Sequence, residues 1–186
     1  MAKDQYHKFV SPVGVARFPW LTKADTKFNP EGVYKTDLIL SSEDAKAIAT
    51  ELKGLFKKHY PDGKGRMPYS KEKGEDGKET GNVIFKFKTK NKPALFDAKG
   101  KPIQNTNVYG GSKIKVSGTA AAYSAAGNLG VTLYLNAVQV IELVTGDSGG
   151  QQSFGFVAQD GYEHTEEVEE SFNTEEEKPE TDEDDF

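Results

Sequence analysis

Cationic and aromatic residues alternate in one short stretch of this chain and predict a charged surface on a rigid support. Phe85 and Phe87 alternate there with Lys86, Lys88 and Lys90. Because successive side chains of a β-strand point to opposite faces, the two rings would lie on one face and the three ammonium groups on the other. The pattern predicts noncovalent chemistry, in which the lysines bind an elongated anion while the rings pack in the core.

The same alternation returns farther along the chain. Lys113 and Lys115 alternate with Ile114 and Val116, which predicts a second strand with a cationic face. If the alternation continues without a break, Tyr123 lies on that cationic face as well. We therefore expect two lysine-bearing strands and an accessible tyrosine to contact the same anion.

Catalytic and metal-dependent chemistry finds little support in the residue types available. The chain has no cysteine, and His7, His59 and His164 are too far apart to form a local zinc motif. The segment 109–113 has glycines before a lysine, but its order is not that of a phosphate-binding loop and a strand is predicted to follow it. We expect neither enzymatic activity nor a cofactor.

A β-rich fold is needed to position the lysines, and the sequence predicts the first strands of that fold. A strand is predicted over 13–18, ending at Pro19 because proline cannot donate to a ladder. Trp20 follows this strand end, where it would be either a core anchor or a platform for base stacking. A turn at 29–32 leads into a strand over 33–40, with Lys35 on its open face.

One amphipathic helix and one long loop complete the predicted elements. Ser41 has the side chain of a helix cap, and apolar residues at helical spacing continue to Phe56 before Pro61. The segment 61–81 is rich in glycine and charge, which predicts a long mobile loop that is either functional or an unstructured insertion. The whole pattern is typical of a mainly β fold.

Charge is segregated along the chain in a way that the net value of −5 conceals. Residues 163–186 contain 13 acidic residues and one lysine, so their formal charge is −12 and that of residues 1–162 is +7. This asymmetry is typical of nucleic-acid-binding proteins with an acidic tail. We expect a globular domain over 1–145, a linker with a docking segment over 146–162, and a disordered tail over 163–186.

Single-stranded nucleic acid is the ligand that this combination fits. Cationic side chains follow the phosphates of such a strand and aromatic rings stack on its bases, and a small five-stranded barrel often presents both. No apolar run reaches the length of a membrane span, so we expect a soluble, intracellular protein that does not contact a membrane. An acidic-tailed RNA-binding or protein-chaperone interaction module is the alternative.

The sequence also resembles a known family, the single-stranded DNA-binding proteins of phage replisomes of the T7 type. The resemblance rests on the segments 29–38, 85–88 and 110–116, and on the acidic tail that ends in phenylalanine. It implies an OB-fold, a five-stranded Greek-key barrel, which coats and protects single-stranded DNA in the cytoplasm of the infected host during replication, recombination and repair. It leaves open whether the chain forms a homodimer.

The resemblance further implies roles for particular residues. Tyr123 matches an aromatic position of the family's binding groove, and Lys113 and Lys115 lie on the strand that leads to it. The family's tail occupies the groove when DNA is absent and recruits the replicative DNA polymerase and the helicase-primase. The tail residues that match this role are Asp182, Glu183, Asp184, Asp185 and Phe186.

Overall fold

The computed structural model describes residues 6–144, which contain nine β-strands and one α-helix. In chain order the elements are β1 (Tyr6–Val10), β2 (Gly14–Asp25), β3 (Val33–Leu40), α1 (Ser42–His59), β4 (Gly65–Arg66), β5 (Tyr69–Lys73), β6 (Glu79–Thr89), β7 (Ala94–Phe96), β8 (Lys113–Ala125) and β9 (Asn128–Glu142). The predicted linker, docking segment and acidic tail lie outside the described residues. Within residues 6–144, no helix combines the length and the apolar character needed to cross a membrane.

Five of these strands close into a barrel. Around the barrel, β2 pairs with β3, β3 with β6, β6 with β9, β9 with β8, and β8 again with β2. The β6–β9 pairing is parallel, and the other four are antiparallel. This closed five-strand circuit confirms the mainly β fold and the OB-type Greek-key barrel predicted from the sequence.

Four shorter strands extend the barrel at its edges. β1 pairs along β8 on the side opposite β9, and β5 pairs with β6. β4 and β7 each pair in parallel with a different part of β9. The result is a barrel whose outer surface continues beyond the five closing strands, most clearly from β8 onto β1.

The predicted helix is confirmed as α1, which packs against four barrel strands. Ser41 caps it, because its hydroxyl oxygen accepts a hydrogen bond from the backbone N–H of Asp44 at 3.2 Å. Its apolar stripe is buried and includes Ile48, Leu52 and Phe56. Packing of this stripe against the barrel, more than helical propensity, stabilises the helix.

The core explains why β6 alternates rings with lysines. Phe85 and Phe87 are 0% and 2% exposed, while Lys86 and Lys88 are exposed on the opposite face, as the two-residue period predicts. Gly118 on β8 makes room for this packing, since a Cβ placed there would lie 2.9 Å from a ring carbon of Phe87. The small residue at position 118 is therefore a packing requirement of the core.

The predicted end of the first strand at Pro19 is wrong. β2 runs through the proline to Asp25, because a β-bulge absorbs it. Arg17 pairs with Asp37 and Trp20 with Lys35, so β2 carries one extra residue over this interval. A proline inside a bulge removes no ladder hydrogen bond, which is why the strand can continue.

The prediction of a long mobile loop over 61–81 is also wrong. The segment contains β4, β5 and the start of β6, and a turn between Gly74 and Lys78 joins the last two strands. Tyr69 fixes this hairpin to the core, with its ring centroid 5.3 Å from that of Phe85. The strands were missed because most of their side chains are polar and exposed, so no apolar face marks them in the sequence.

Candidate nucleic-acid interface

An open groove of about 1190 Å³ lies across the outer face of the barrel. Its base is formed by β3, β6 and β9, and its sides by β2, the β2–β3 loop, residues 66–68 and the end of β8. Its charged and accessible aromatic residues are Arg17, Phe18, Trp20, Asp25, Lys27, Phe28, Lys35, Asp37, Arg66, Lys86, Lys88, Tyr123 and Tyr134. This face, formed by the second and third barrel strands and the loop before them, is the one that OB-folds use for oligonucleotides.

One row of side chains crosses the groove at right angles to the strands. Trp20 on β2 is paired with Lys35 on β3, Lys35 with Lys88 on β6, and Lys88 with Tyr134 on β9. Neighbouring strands lie about 4.8 Å apart, so the row spans roughly 14 Å. Four strands thus present two lysines between two aromatic rings, and we call this set the central row.

The bulge in β2 decides which of its residues reach the groove. Arg17 and Trp20 are three positions apart and would point to opposite faces of a regular strand. The extra residue of the bulge brings both to the groove face, and both line the groove. Phe18 lies in the bulge with a backbone φ of +48°, a conformation that non-glycine residues rarely adopt.

One ion pair and two cation–ring contacts hold cationic side chains of the groove in place. Arg17 forms an ion pair with Asp37 at 3.1 Å, and its guanidinium lies 5.0 Å from the centre of the Phe18 ring. The ammonium group of Lys27 lies 5.3 Å from the centre of the Phe28 ring. Such cation–π contacts stabilise exposed rings modestly and keep a positive charge beside each stacking face.

The groove carries a net positive charge because its carboxylates are outnumbered. Six cationic and two acidic side chains line it, for a formal charge of +4. Lys35 is paired with Asp25. Within residues 6–144, Lys86 and Lys88 have no carboxylate partner, so their ammonium groups are available to an anionic ligand.

Asp25 is the groove carboxylate whose acidity the surroundings change. The hydrogen bond from the ammonium group of Lys35, followed by that from the backbone N–H of Lys27, holds the pKa of Asp25 below its ordinary value of 3.8. Both donors favour the ionised carboxylate. The Asp25 carboxylate therefore stays ionised at neutral pH, and its ion pair with Lys35 fixes one lysine of the central row in place.

Asp25→Asn is expected to make the stability of the protein less dependent on pH in acid. Because folding lowers the pKa of Asp25, its carboxylate stabilises the fold above pH 3.8, and that contribution is lost as pH falls through the lower folded pKa. The difference in unfolding free energy between the unchanged protein and the variant should shrink as the pH falls from neutral through 3.8 and then through the lower folded pKa. Urea unfolding followed by Trp20 fluorescence measures it, and a difference that stays constant would contradict the prediction.

Four aromatic side chains of the groove are accessible enough to stack on a ligand. Trp20 and Tyr134, at the two ends of the central row, are 40% and 42% exposed. Phe18 and Phe28 are 66% and 85% exposed. Exposed rings this large, concentrated beside unpaired cations, are the arrangement that binds nucleobases and phosphates together.

Tyr123 enters the groove because its neighbour on β9 is a glycine. It is paired with Gly130, where a Cβ would lie 2.7 Å from the Tyr123 hydroxyl oxygen and 2.7 Å from the carbonyl oxygen of Arg66. No other residue at position 130 leaves both groups in place. The glycine therefore allows the Tyr123 ring and the short β4 segment to lie close against β9.

The structure brings together five of the eight residues predicted to contact DNA. Lys35, Lys86, Lys88, Trp20 and Tyr123 all line the groove.

The other three predicted residues lie elsewhere. Lys90 follows the end of β6 and faces Glu31 at 3.4 Å, and Lys113 forms an ion pair with Glu142 at 2.9 Å. Lys115 is on the same strand as Tyr123 but eight residues away, roughly 26 Å along an extended strand. They stay predicted contacts of the ligand, outside the groove.

Several groove residues were not predicted from the sequence. Tyr134 alternates with Leu133 and Leu135, and this period could have marked it as outward-facing. Phe28 also had a signal, because a large ring in a polar turn has no local apolar partner. Arg17, Phe18, Lys27 and Arg66 had none, since their place depends on the bulge and on long-range pairings.

The groove offers binding chemistry. Its side chains are ammonium, guanidinium, phenol, phenyl and indole groups, with two carboxylates engaged in ion pairs. In the part of the chain that the structure describes, no three histidine, aspartate or glutamate residues are grouped so that they could hold a metal ion. The arrangement fits an anion that also has flat apolar rings.

Fold and groove together define a protein of the OB-fold class with a cationic, aromatic face. The chain is similar in sequence to the single-stranded DNA-binding protein of Enterobacteria phage T3, with 29% identity over 197 aligned positions that cover 84% of each chain. No family model matches it. The resemblance to the phage family predicted from the sequence is confirmed.

Two solved structures of phage single-stranded DNA-binding proteins are also similar to this chain. The single-stranded DNA-binding protein encoded by bacteriophage T7 superposes with a TM-score of 0.62 and 26% identity, covering 86% of this chain and 100% of that one. The single-stranded DNA-binding protein of bacteriophage Enc34, in complex with single-stranded DNA, superposes with a TM-score of 0.59 over 75% of this chain and 88% of that one. At 15% identity the second match shows the fold alone.

Proposed function

We propose that this protein binds single-stranded DNA in the groove, without sequence preference and without catalysing a reaction. The central row carries the proposal, because Lys35 and Lys88 would contact phosphates while Trp20 and Tyr134 stack on bases at either side. Every base has a face on which a ring can stack, so such contacts tolerate any sequence. The similarity to phage single-stranded DNA-binding proteins supports the same ligand.

Single strands fit the groove better than duplexes do. Stacking on Trp20 and Tyr134 requires bases whose faces are free, and the bases of a duplex are stacked on one another. Proteins that read a duplex usually place a helix in its major groove. α1 fits that role poorly, since Glu43 and Asp44 lie in its first turn and would repel the phosphates of a duplex.

Titration of the protein with a poly-dT oligomer at several salt concentrations tests this proposal. Each phosphate neutralised on a single strand adds about −0.7 to the logarithmic salt slope. Asp25 already neutralises Lys35 and Asp37 already neutralises Arg17, so the slope counts the four groove cations that form no ion pair in residues 6–144 (Lys27, Arg66, Lys86 and Lys88) and should be about −2.8. Binding without salt dependence, or tighter binding to duplex, would contradict it.

Competition separates the proposal from its alternative. An acidic-tailed RNA-binding or protein-chaperone module would release poly-dT when RNA or an unfolded protein is added. A single-stranded DNA-binding protein should instead release poly-dT when other single-stranded DNA is added. Trp20 reports the competition directly, because it is the one tryptophan of the chain and lies in the groove.

In the cell, we place this activity in phage DNA replication, recombination and repair, in the cytoplasm of the infected bacterium. Coating single strands protects them and keeps them unpaired for the enzymes that copy or join them. The acidic tail, residues 163–186, would recruit the replicative DNA polymerase and the helicase-primase through Asp182, Glu183, Asp184, Asp185 and Phe186. Measurement of its mass in solution tests whether the protein forms a homodimer.

We further propose that the tail competes with DNA. Its formal charge of −12 opposes the net charge of +4 of the groove, so the two attract each other at low salt. A competitor on the same chain acts at a high effective concentration that dilution does not change. DNA binding would then release the tail for partner proteins.

A chain that ends at Tyr162 is expected to bind poly-dT at least 10-fold more tightly than the full chain at about 50 mM salt, because the competitor is absent. The difference should shrink as salt rises, since screening weakens the attraction between tail and groove. Parallel salt titrations of the two chains measure both effects. Equal affinities at low salt would contradict a competing tail.

A further inference from the structure

The strand pairing that forms the central row continues past Tyr134 onto two further strands. Tyr134 on β9 is paired with Thr119 on β8, and Thr119 is paired on its other side with Lys8 on β1. One row away, Ala121 on β8 is paired with Tyr6 on β1. The face that forms the groove therefore continues over β8 onto β1, the strand at the edge of the sheet.

Tyr6 and Lys8 point outward on this continuation. Position 118 of β8 faces the core, where Gly118 makes room for Phe87, so Thr119 and Ala121 face outward with their partners Lys8 and Tyr6. Tyr6 is 57% exposed and Lys8 is exposed. Within residues 6–144, Lys8 has no carboxylate partner.

β1 is held firmly enough to fix the positions of these two side chains. All five of its residues pair with β8. Its inner face is attached at two places, since Phe9 packs on Phe87 with ring centroids 6.1 Å apart and His7 contacts Glu51 of α1 at 3.1 Å. Ordering Tyr6 and Lys8 on binding would therefore cost only their own side-chain entropy.

We propose that Tyr6 and Lys8 form a second contact site for the same DNA strand, which we call the β1 subsite. A DNA strand that leaves the groove over Tyr134 crosses from β9 to β8 and then to β1, a distance of roughly 10 Å. Lys8 then binds a phosphate and Tyr6 stacks on a base, the same pairing of cation and ring that the central row has. The inference rests on the proposed function and extends the path of the DNA beyond the groove.

The surface between the two sites supports this path. Thr119 and Ala121 are small and only 9% and 5% exposed, and neither they nor the adjacent Thr132 carries a charge, so no charge there repels a phosphate. The occupant is the DNA already bound in the groove, because the subsite is continuous with the groove and has the same sign of charge. A single ring and a single lysine would bind it too weakly on their own.

A series of oligomers tests the β1 subsite. The full-length double variant with Tyr6→Ala and Lys8→Ala is compared with the unchanged protein on dT4, dT6, dT8, dT12 and dT16. The shortest oligomers that quench Trp20 should bind both proteins within 2-fold, because they occupy the groove alone. Long oligomers should bind the variant at least 10-fold more weakly, with a logarithmic salt slope smaller in magnitude by about 0.7.

Controls separate this inference from the proposed function. Val10→Ala removes another outward side chain of β1 and should leave all affinities unchanged, and thermal unfolding confirms that each variant is folded. Equal weakening at every length, or no weakening at any length, would overturn the β1 subsite while leaving the groove in place. Failure of the unchanged protein to bind any oligomer would overturn the proposed function and the subsite together.

Discussion

The double variant with Lys86→Ala and Lys88→Ala is expected to bind poly-dT about 25-fold more weakly than the unchanged protein at about 0.1 M salt. Both lysines lie on the groove face of β6 and have no carboxylate partner in residues 6–144. Losing two phosphate contacts reduces the magnitude of the logarithmic salt slope by about 1.4, which at 0.1 M corresponds to this loss of affinity. Titrations at four or more salt concentrations measure the affinity and the slope together.

The matched control removes two lysines that are also exposed but lie outside the groove. Lys99 and Lys101 lie in the turn after β7, so replacing both by alanine changes the net charge of the protein by the same amount. If that control loses affinity and slope to the same extent as the β6 variant, net charge and not groove position governs binding. The role given to Lys86 and Lys88 would then be wrong.

Trp20→Ala is expected to weaken binding by a different mechanism, which the salt dependence distinguishes. Loss of one stacked ring costs about 1–3 kcal/mol, which is roughly 5- to 150-fold in affinity. Because the indole ring carries no charge, the salt slope should stay that of the unchanged protein. Tyrosine fluorescence or the anisotropy of a labelled oligomer measures binding, since this variant has no tryptophan.

Trp20→Phe is the control for this prediction, because it keeps a flat ring at the same place. It should retain most of the affinity that Trp20→Ala loses. Tyr134→Ala, at the other end of the central row, should cause a loss of similar size without changing the fold, as Tyr134 is 42% exposed. Full affinity in both alanine variants would exclude stacking at the ends of the central row.

The spacing of apolar and polar residues along the chain predicted much of the fold, because these strands and the helix can be recognised from residues that are close in sequence. β3, β6 and β8 have alternating faces, and α1 has a cap and an apolar stripe, all within short segments. The bulge in β2 had no such signal, since a proline, which cannot donate to a ladder, usually marks the end of a strand. The β5–β6 hairpin was missed because polar residues on both faces resemble those of a loop.

The groove was predictable only in part, because facing outward does not determine where on the barrel a residue lies. Lys88 and Lys115 both alternate with apolar residues, yet Lys88 lines the groove and Lys115 does not. The difference lies in the pairing register, which joins Lys88 to Tyr134 across strands that are distant in sequence. Spacing within one strand carries no information about that register.

The closure of the barrel through β2 and β8 also has a consequence for folding. This pairing joins residues 14–15 to residues 113–114, and the central row likewise joins Trp20 to Tyr134. Contacts so distant in sequence form slowly, because a long loop must close before they contribute. A nascent or partly folded chain therefore has no complete binding face, and DNA that binds only the closed barrel makes the native state more resistant to unfolding.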